Sequence, residues 1–304
     1  MIGDYDVLAK RLRFVPQFPL EPGGKYRVIF HPSQLPGTQG SMSDTITALF
    51  QAPARPPRAA AMVSHVYPSA DLLPENLLKF YIHFSAPMSR GHIYEHIYLR
   101  NEAGKDIELP FLEIDEELWD PAMMRLTLFI DPGRIKRGVR PLEEIGPALE
   151  AGKRYTLAID RAWRDATGSP LKEDFQKRFQ VGSPDRDPPE PAQWKIHPPQ
   201  AATRETLVIT FPEPLDHALA QRVIQVAGPS GESIAGKVAL EDEERQWTFT
   251  PTDPWQRGSH KLVVQTTLED LAGNNIGKPF EVDLFEGVQR QPVHSTVKLP
   301  FEVP

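Results

Sequence analysis

A thirty-residue stretch, Leu78–Ile107, recurs 127 positions further on as Glu205–Ile234, with no gap between the two. LKFYIHFSAPMSRGHIYEHIYLRNEAGKDI lies over ETLVITFPEPLDHALAQRVIQVAGPSGESI, so that Ile82 meets Ile209, Phe84 meets Phe211 and Pro87 meets Pro214. Further along, Ile97 meets Ile224, Gly104 meets Gly231 and Ile107 meets Ile234. A repeat period above about a hundred residues marks serial copies of one domain. Any fold assigned to one copy must therefore suit the other.

The 304 residues give room for two domains or slightly more. With 40% hydrophobic and 25% charged residues, the composition fits a soluble globular chain. Its 32 prolines are about twice the usual share of roughly 5%. Proline interrupts helices and central strands and sits easily in turns, edges and linkers, which favours an all-β chain with many short connections. A net charge of −7 argues against nucleic acid as a partner, because that binding rests on a positive field. The absence of cysteine removes disulfide frames and thiolate chemistry. No apolar run approaches the roughly 20 residues of a membrane span. The opening MIGDYDVLAKRLRF lacks the apolar core of a signal peptide.

The back half of the repeat is present three times. RLRFVPQFPLEPGGKYRV (Arg11–Val28) matches QWTFTPTDPWQRGSHKLV (Gln246–Val263), with Phe14, Pro16, Pro19 and Gly23 over Phe249, Pro251, Pro254 and Gly258. In the middle copy, Gly152 and Tyr155 of AGKRYTL match Gly23 and Tyr26. Residues 1–54 thus read as the C-terminal half of a domain whose first strands are missing, which predicts an open apolar face. The expectation is that the natural chain extends upstream of Met1, or that another segment covers the gap. An upstream piece would also be the place for an export signal. Two proline-rich linkers, PARPPR (53–58) and SPDRDPPEPAQ (183–193), separate this half from a domain at 61–182 and a second at 194–285. A tail, 286–304, offers one more strand at STVKLPFEV.

In LLKFYIHF, Leu78, Phe80, Ile82 and Phe84 alternate with Lys79, Tyr81 and His83, the pattern of a half-buried strand. IYL, the turn NEAGK and DIELPFLEI predict a hairpin. The middle copy carries an insertion. Thr127 to Gly152 spans 25 positions, whereas Thr248 to Gly258 and Arg13 to Gly23 each span 10. The extra residues fall near 131–147. A long loop on a rigid sandwich is a common place for binding.

Several signals suggest chemistry. His92-Ile-Tyr-Glu95-His96 has the spacing of inverted zinc metallopeptidases, but that motif needs a helix, a further carboxylate and an open coordination position. Here it lies between strands, which predicts a short turn with solvated histidines. Gly231–Lys237 nearly spells a phosphate loop, yet Val238 stands where a Ser or Thr should hold magnesium, and a β-turn is expected. Glu113, Asp115, Glu116, Glu117 and Asp120 form an acidic run beside Trp119, a group of the kind that contacts an ion or a sugar. Arg134, Lys136, Arg137 and Arg140 in the insertion are candidates for an acidic ligand, with pairing to Glu143 or Glu144 as the structural reading. Asp165 and Asp270 are expected to shape turns.

A strand ending F-S-x-P-M (Phe84, Ser85, Pro87, Met88) is followed by I-x-L-x-x-x-x-G (Ile97, Leu99, Gly104). Elsewhere come L-x-P-G-x-x-Y-x-V (Leu20, Pro22, Gly23, Tyr26, Val28) and D-x-x-G-N (Asp270, Gly273, Asn274). This set resembles the bacterial Ig-like domains found as tandem modules in surface-layer and other exported bacterial proteins. The resemblance implies an all-β chain of tandem Ig-like sandwiches joined by proline-rich linkers. It also implies a non-enzymatic spacer, scaffold or adhesion surface outside the cytoplasm, with a protein or glycan partner and no cofactor. The alternatives are a carbohydrate-binding module using Trp119 and the insertion, and a metal-dependent hydrolase on His92, Glu95 and His96. Two departures from the pattern are the insertion and Lys261 at the tyrosine position of the last copy.

Overall fold

The computed structural model describes residues 2–8, 11–32, 45–53, 59–135, 140–280 and 295–304. The chain divides into two compact units, Met1–Ala59 and Ala60–Pro304. The first is built of two antiparallel hairpins. β1 (Gly3–Leu8) pairs with β2 (Arg11–Pro16), and β3 (Lys25–Phe30) with β4 (Ile46–Gln51). Tyr26 Oη accepts a hydrogen bond from Glu21 N at 2.7 Å and closes the turn before β3. Phe18 and Leu49 stay 68% and 84% exposed. The first proline-rich linker lies, beyond Pro53, outside the described residues.

The second unit holds two sandwiches. The strands of the first are β5 (Val63–Tyr67), β6 (Leu72–Pro74), β7 (Lys79–Phe84), β8 (Ile97–Asn101), β9 (Leu118–Trp119), β10 (Arg125–Phe129), β11 (Arg154–Ile159) and β12 (Phe175–Gly182). They form two sheets, β5-β7-β10-β9 and β6-β12-β11-β8, antiparallel except for the β6–β12 pair. Phe80, Ile82, Leu99, Leu126, Leu157 and Trp163 fill the space between them. A short helix, α1 (Arg140–Ile145), lies in the insertion.

The second sandwich has β13 (Lys195–His197), β14 (Leu207–Thr210), the helix α2 (His217–Val223), β15 (Ile224–Ala227), β16 (Gly236–Glu241), β17 (Gln246–Pro251), β18 (Gly258–Gln265) and β19 (Thr296–Val303). Its sheets run β13-β14-β17-β16 and β15-β18-β19 around Leu207, Ile209, Trp247, Leu262 and Val264. β19, drawn from the tail, pairs with all eight residues of β18. In both sandwiches aliphatic and aromatic side chains at alternate positions line the inner face of the core strands, which suits a pleated, packed sheet.

The recurring stretch is paired alike in both copies. Ile82 faces Leu126 as Ile209 faces Trp247, and Ile97 faces Ile159 as Ile224 faces Val264. The isolated bridges Met88–Asp165 and Leu215–Asp270 are counterparts, as are Arg100–Asp106 and Ala227–Ser233. Asp165 and Asp270 each accept backbone N–H groups two and four residues on and so hold their turns.

Three expectations change. β7 is not half-buried: Lys79 and Tyr81, on its polar side, are buried as well as Phe80, because that side meets the second sandwich. The hairpin after β8 is brief. Only Asp106 and Ile107 return along β8, and Phe111 then bridges Ile130 in the opposite sheet. The tyrosine position of the last copy is His260, not Lys261. Tyr155, Leu157 and Ile159 correspond by pairing to His260, Leu262 and Val264. Period-two alternation turns Lys261 outward, sparing a charge from burial. Tyr155 repeats the Tyr26 contact, accepting from Glu150 N at 3.1 Å.

Gly273 is the glycine where the sandwiches approach most closely. Its φ of +86° lies in the left-handed region, and an added Cβ would fall 2.4 Å from Leu78 Cδ2. Gly273→Ala is therefore expected to cost about 1–3 kcal/mol, read as a lower urea midpoint at unchanged slope. An unchanged midpoint would contradict the close packing.

Candidate functional site

The densest polar chemistry lies where the two sandwiches meet. β7 delivers Lys79 into this interface, where it is 8% exposed. A buried ammonium must find anions. It reaches Asp216 Oδ2 at 3.0 Å and Glu269 Oε2 at 2.5 Å, both in the second sandwich. Burial pulls the Lys79 pKa down, but the two carboxylates outweigh it and hold it above the ordinary lysine value. Tyr81 Oη donates to both Asp216 oxygens at 2.9 Å. Asp216 also caps α2, accepting from Leu219 N at 2.8 Å.

Around this centre the contacts are mixed. Tyr67 stacks on His217 at 3.4 Å between ring centroids, and His83 meets both rings edge-on. Burial, with Arg125 and the neighbouring histidines, lowers the His217 pKa to about 4. It is neutral at pH 7, so its 3.8 Å approach to Glu244 is not an ion pair there. Glu244 instead accepts from Ser69 N and Oγ at 2.8 and 2.7 Å. Leu78 N donates to Leu271 O across the junction.

The second linker is pinned to the same junction. Asn76 Oδ1 accepts from Asp185 N, while Asn76 and Asn274 both donate to Asp185 O. Asp185, Glu213 and Asp270 bring carboxylate oxygens within 4.8 Å of one another, forming the group among the described residues with the geometry to hold a metal ion. Three hard oxygen donors suit a divalent cation such as calcium. Asp270 also has local work, accepting from Ala272 N, Asn274 N and Asn274 Nδ2. Burial first, and then the neighbouring carboxylates, push Glu213 and Asp270 up to about 7.

The side chains singled out in the sequence lie elsewhere. Trp119 is half-buried against Phe84 and Trp163, and its Nε1 donates to Glu117 at 2.7 Å. Arg134 is 5% exposed, and its guanidinium donates to the carbonyls of Gly146, Pro147, Leu109 and Glu108, tying the insertion closed. Lys136 and Arg137 lie outside the described residues, and Arg140 opens α1. His92 and Glu95 form an exposed pair at 2.8 Å across a single 3-10 turn, Ile93–Glu95, and His96 stacks on Trp163. One such turn does not build the helical face that the zinc motif needs. Gly231 sits in the turn between β15 and β16, with φ of +92°. Asp120 caps its own turn through Met124 N and Arg125 N.

Together these features define a two-sandwich Ig-like body with a polar, buried junction. Residues 190–285 match the bacterial Ig-like domain family. No curated protein sequence matches the chain. Among solved structures, the Escherichia coli alpha-2-macroglobulin fragment MG0-NIE-MG1 is similar at 8% identity and a TM-score of 0.26, over 67% of this chain and 66% of that one. The surface-layer protein SbsC is similar at 9% identity and 0.28, over 81% and 41%. The titin fragment I67–I69 is similar at 11% and 0.21, over 81% and 66%. The chain thus spans no more than about two thirds of these structures.

Two outcomes follow from the junction. Lys79→Met leaves the buried Asp216 without its cation and facing the partly buried Glu269, so unfolding free energy should fall by about 3–5 kcal/mol; a fall below about 1 kcal/mol would mean the pair is solvated. Glu213 has a folded pKa above its unfolded value, so its contribution is full below about pH 4 and is lost as pH rises through about 7. Glu213→Gln should then raise Tm at pH 8 by about 2–4 °C, a figure reduced by solvent at its open edge, and leave Tm at pH 4 unchanged. Equal shifts at both pH values would contradict the assignment.

Proposed function

We propose that this chain is a non-enzymatic structural and interaction protein of the bacterial exterior, its Ig-like sandwiches acting as a stiff spacer or scaffold. The observation that carries this reading is the buried junction, in which Lys79 of one sandwich is neutralised by Asp216 and Glu269 of the next. Flexible tethering leaves neighbouring domains with small polar interfaces and free relative motion. A desolvated ion pair supported by Tyr81, Ser69 and Asn76 opposes such motion. The Ig-like match at 190–285 agrees with this role.

The domain limits that accompany the reading are 1–54, 61–182 and 194–285, with 286–304 supplying a further strand to the last domain. The net charge of −7 agrees with a partner other than nucleic acid. No helix among the described residues is long and apolar enough to cross a membrane. An exterior location is tested by adding protease to intact cells that carry the chain in its natural context with a C-terminal epitope. Loss of the epitope from intact cells is expected. Protection until the cells are lysed, with recovery in the cytosolic fraction, would overturn the placement.

A further inference from the structure

We propose that the Met1–Ala59 unit is an acceptor for a donated pair of β-strands, the two leading strands of an Ig-like domain supplied from outside these 304 residues. The register of its hairpins carries the inference. In β1–β2, Gly3 faces Pro16 and Tyr5 faces Phe14, as Gly236 faces Pro251 and Val238 faces Phe249 in β16–β17. The glycine serves the same packing in both. An added Cβ would fall 2.8 Å from Phe14 Cζ at Gly3 and 2.4 Å from Phe249 Cζ at Gly236. In β3–β4, Tyr26 faces Phe50 and Val28 faces Ala48. In β18–β19, His260 faces Phe301 and Leu262 faces Leu299, and in β11–β12 Tyr155 faces Phe179. The two hairpins are thus the trailing strands of a sandwich, residue for residue.

What covers such strands is visible twice in the same chain. β17 holds β14 on the edge away from β16, and β18 holds β15 on the edge away from β19. β10 and β11 hold β7 and β8 in the same way. Among the described residues, no strand pairs with the corresponding edges of β2 and β3. Leu12, Val28 and Phe50 are 49%, 55% and 46% exposed, whereas their counterparts Trp247, Leu262 and Phe301 are 0%, 0% and 6% exposed. Together with the exposed Tyr5 and Ile46 they bare on the order of 600 Å² of apolar surface, the upper end of what a monomer ordinarily shows. The backbone of two free edges brings this to about the 800 Å² that each partner of a stable complex buries.

The chemistry of the occupant follows from the same register. Ile82 and Ile209 lie opposite the counterparts of Leu12, and Leu99 and Val226 opposite those of Val28. From Ile82 to Ile97, and from Ile209 to Ile224, is 15 residues. The donor is therefore an alternating apolar strand followed, 15 residues on from its central isoleucine, by a second strand beginning Ile-x-Leu or Ile-x-Val. Main-chain bonds along each free edge supply affinity, and the alternate apolar side chains fix the register. Both copies of this segment within the chain are already in place, with Ile82 and Ile209 fully buried in their own sandwiches. A second copy of the chain has no spare donor either. The docking stands apart from the spacer reading, which rests on the junction in the other unit.

The test is fluorescence anisotropy of a labelled synthetic peptide, Glu205–Ile234, titrated with the full chain. Saturable binding at one peptide per chain is expected, with slowed amide hydrogen exchange in β2 and β3. A peptide carrying Ile209→Asp and Ile224→Asp should bind at least tenfold more weakly, because each carboxylate would be buried unpaired. In the chain, Leu12→Asp and Val28→Asp alter exposed side chains and leave the second unit intact. Each should weaken the unaltered peptide at least tenfold. Absence of binding, equal binding of the two peptides, or binding indifferent to both chain variants would overturn the proposal. So would sedimentation showing a dimer of the chain that Leu12→Asp dissociates, since a second copy would then be the cover.

Discussion

The geometry of the second unit depends on one electrostatic requirement. Lys79 sits in a strand buried on both faces, and both of its anionic partners belong to the neighbouring sandwich. A lone ammonium there would cost far more than a hydrophobic contact could return. The second sandwich must therefore present Asp216 and Glu269 at the right place. Asp216 can do so because it is also the N-cap of α2, which ties the ion pair to the start of a helix. The Tyr67–His217 stack, the Ser69–Glu244 bonds and the pinning of Asp185 all form in this docking.

The same junction carries groups with opposing responses to pH. His217, held near 4, binds its proton more readily when released, so its contribution is lost as pH falls from about 6.5 towards 4. Glu213 and Asp270, raised to about 7, act in the reverse sense, favouring the docked form at low pH and losing that advantage as pH climbs. The two effects overlap between pH 4 and 7 and partly cancel. The docked arrangement is therefore less sensitive to acidity in that range than either group alone would make it.

Much of the fold was legible in the sequence, and the junction was not. The repeat placed Ile82 over Ile209 and Ile97 over Ile224, and the pairing obeys it because alternation and turn chemistry are local signals. The Asp165 and Asp270 turns were legible for the same reason. Lys79, Tyr81 and His83 looked like a solvated strand face, since nothing within LLKFYIHF says that a second domain covers it. The one available clue was that this polar face carries two ring side chains and a single charge. Arg134 read as a cation for an acidic ligand or for Glu143 and Glu144, because its actual partners are carbonyls, which every residue has and no sequence reveals.

The central claim is that Ala60–Pro304 behaves as one rigid body. The chain has no cysteine, so a spin label placed at Arg178→Cys in the first sandwich and another at Ser259→Cys in the second report on it alone. Pulsed electron paramagnetic resonance should give a single narrow distance distribution at neutral pH. A broad or two-peaked distribution would show the sandwiches moving independently and would contradict the account.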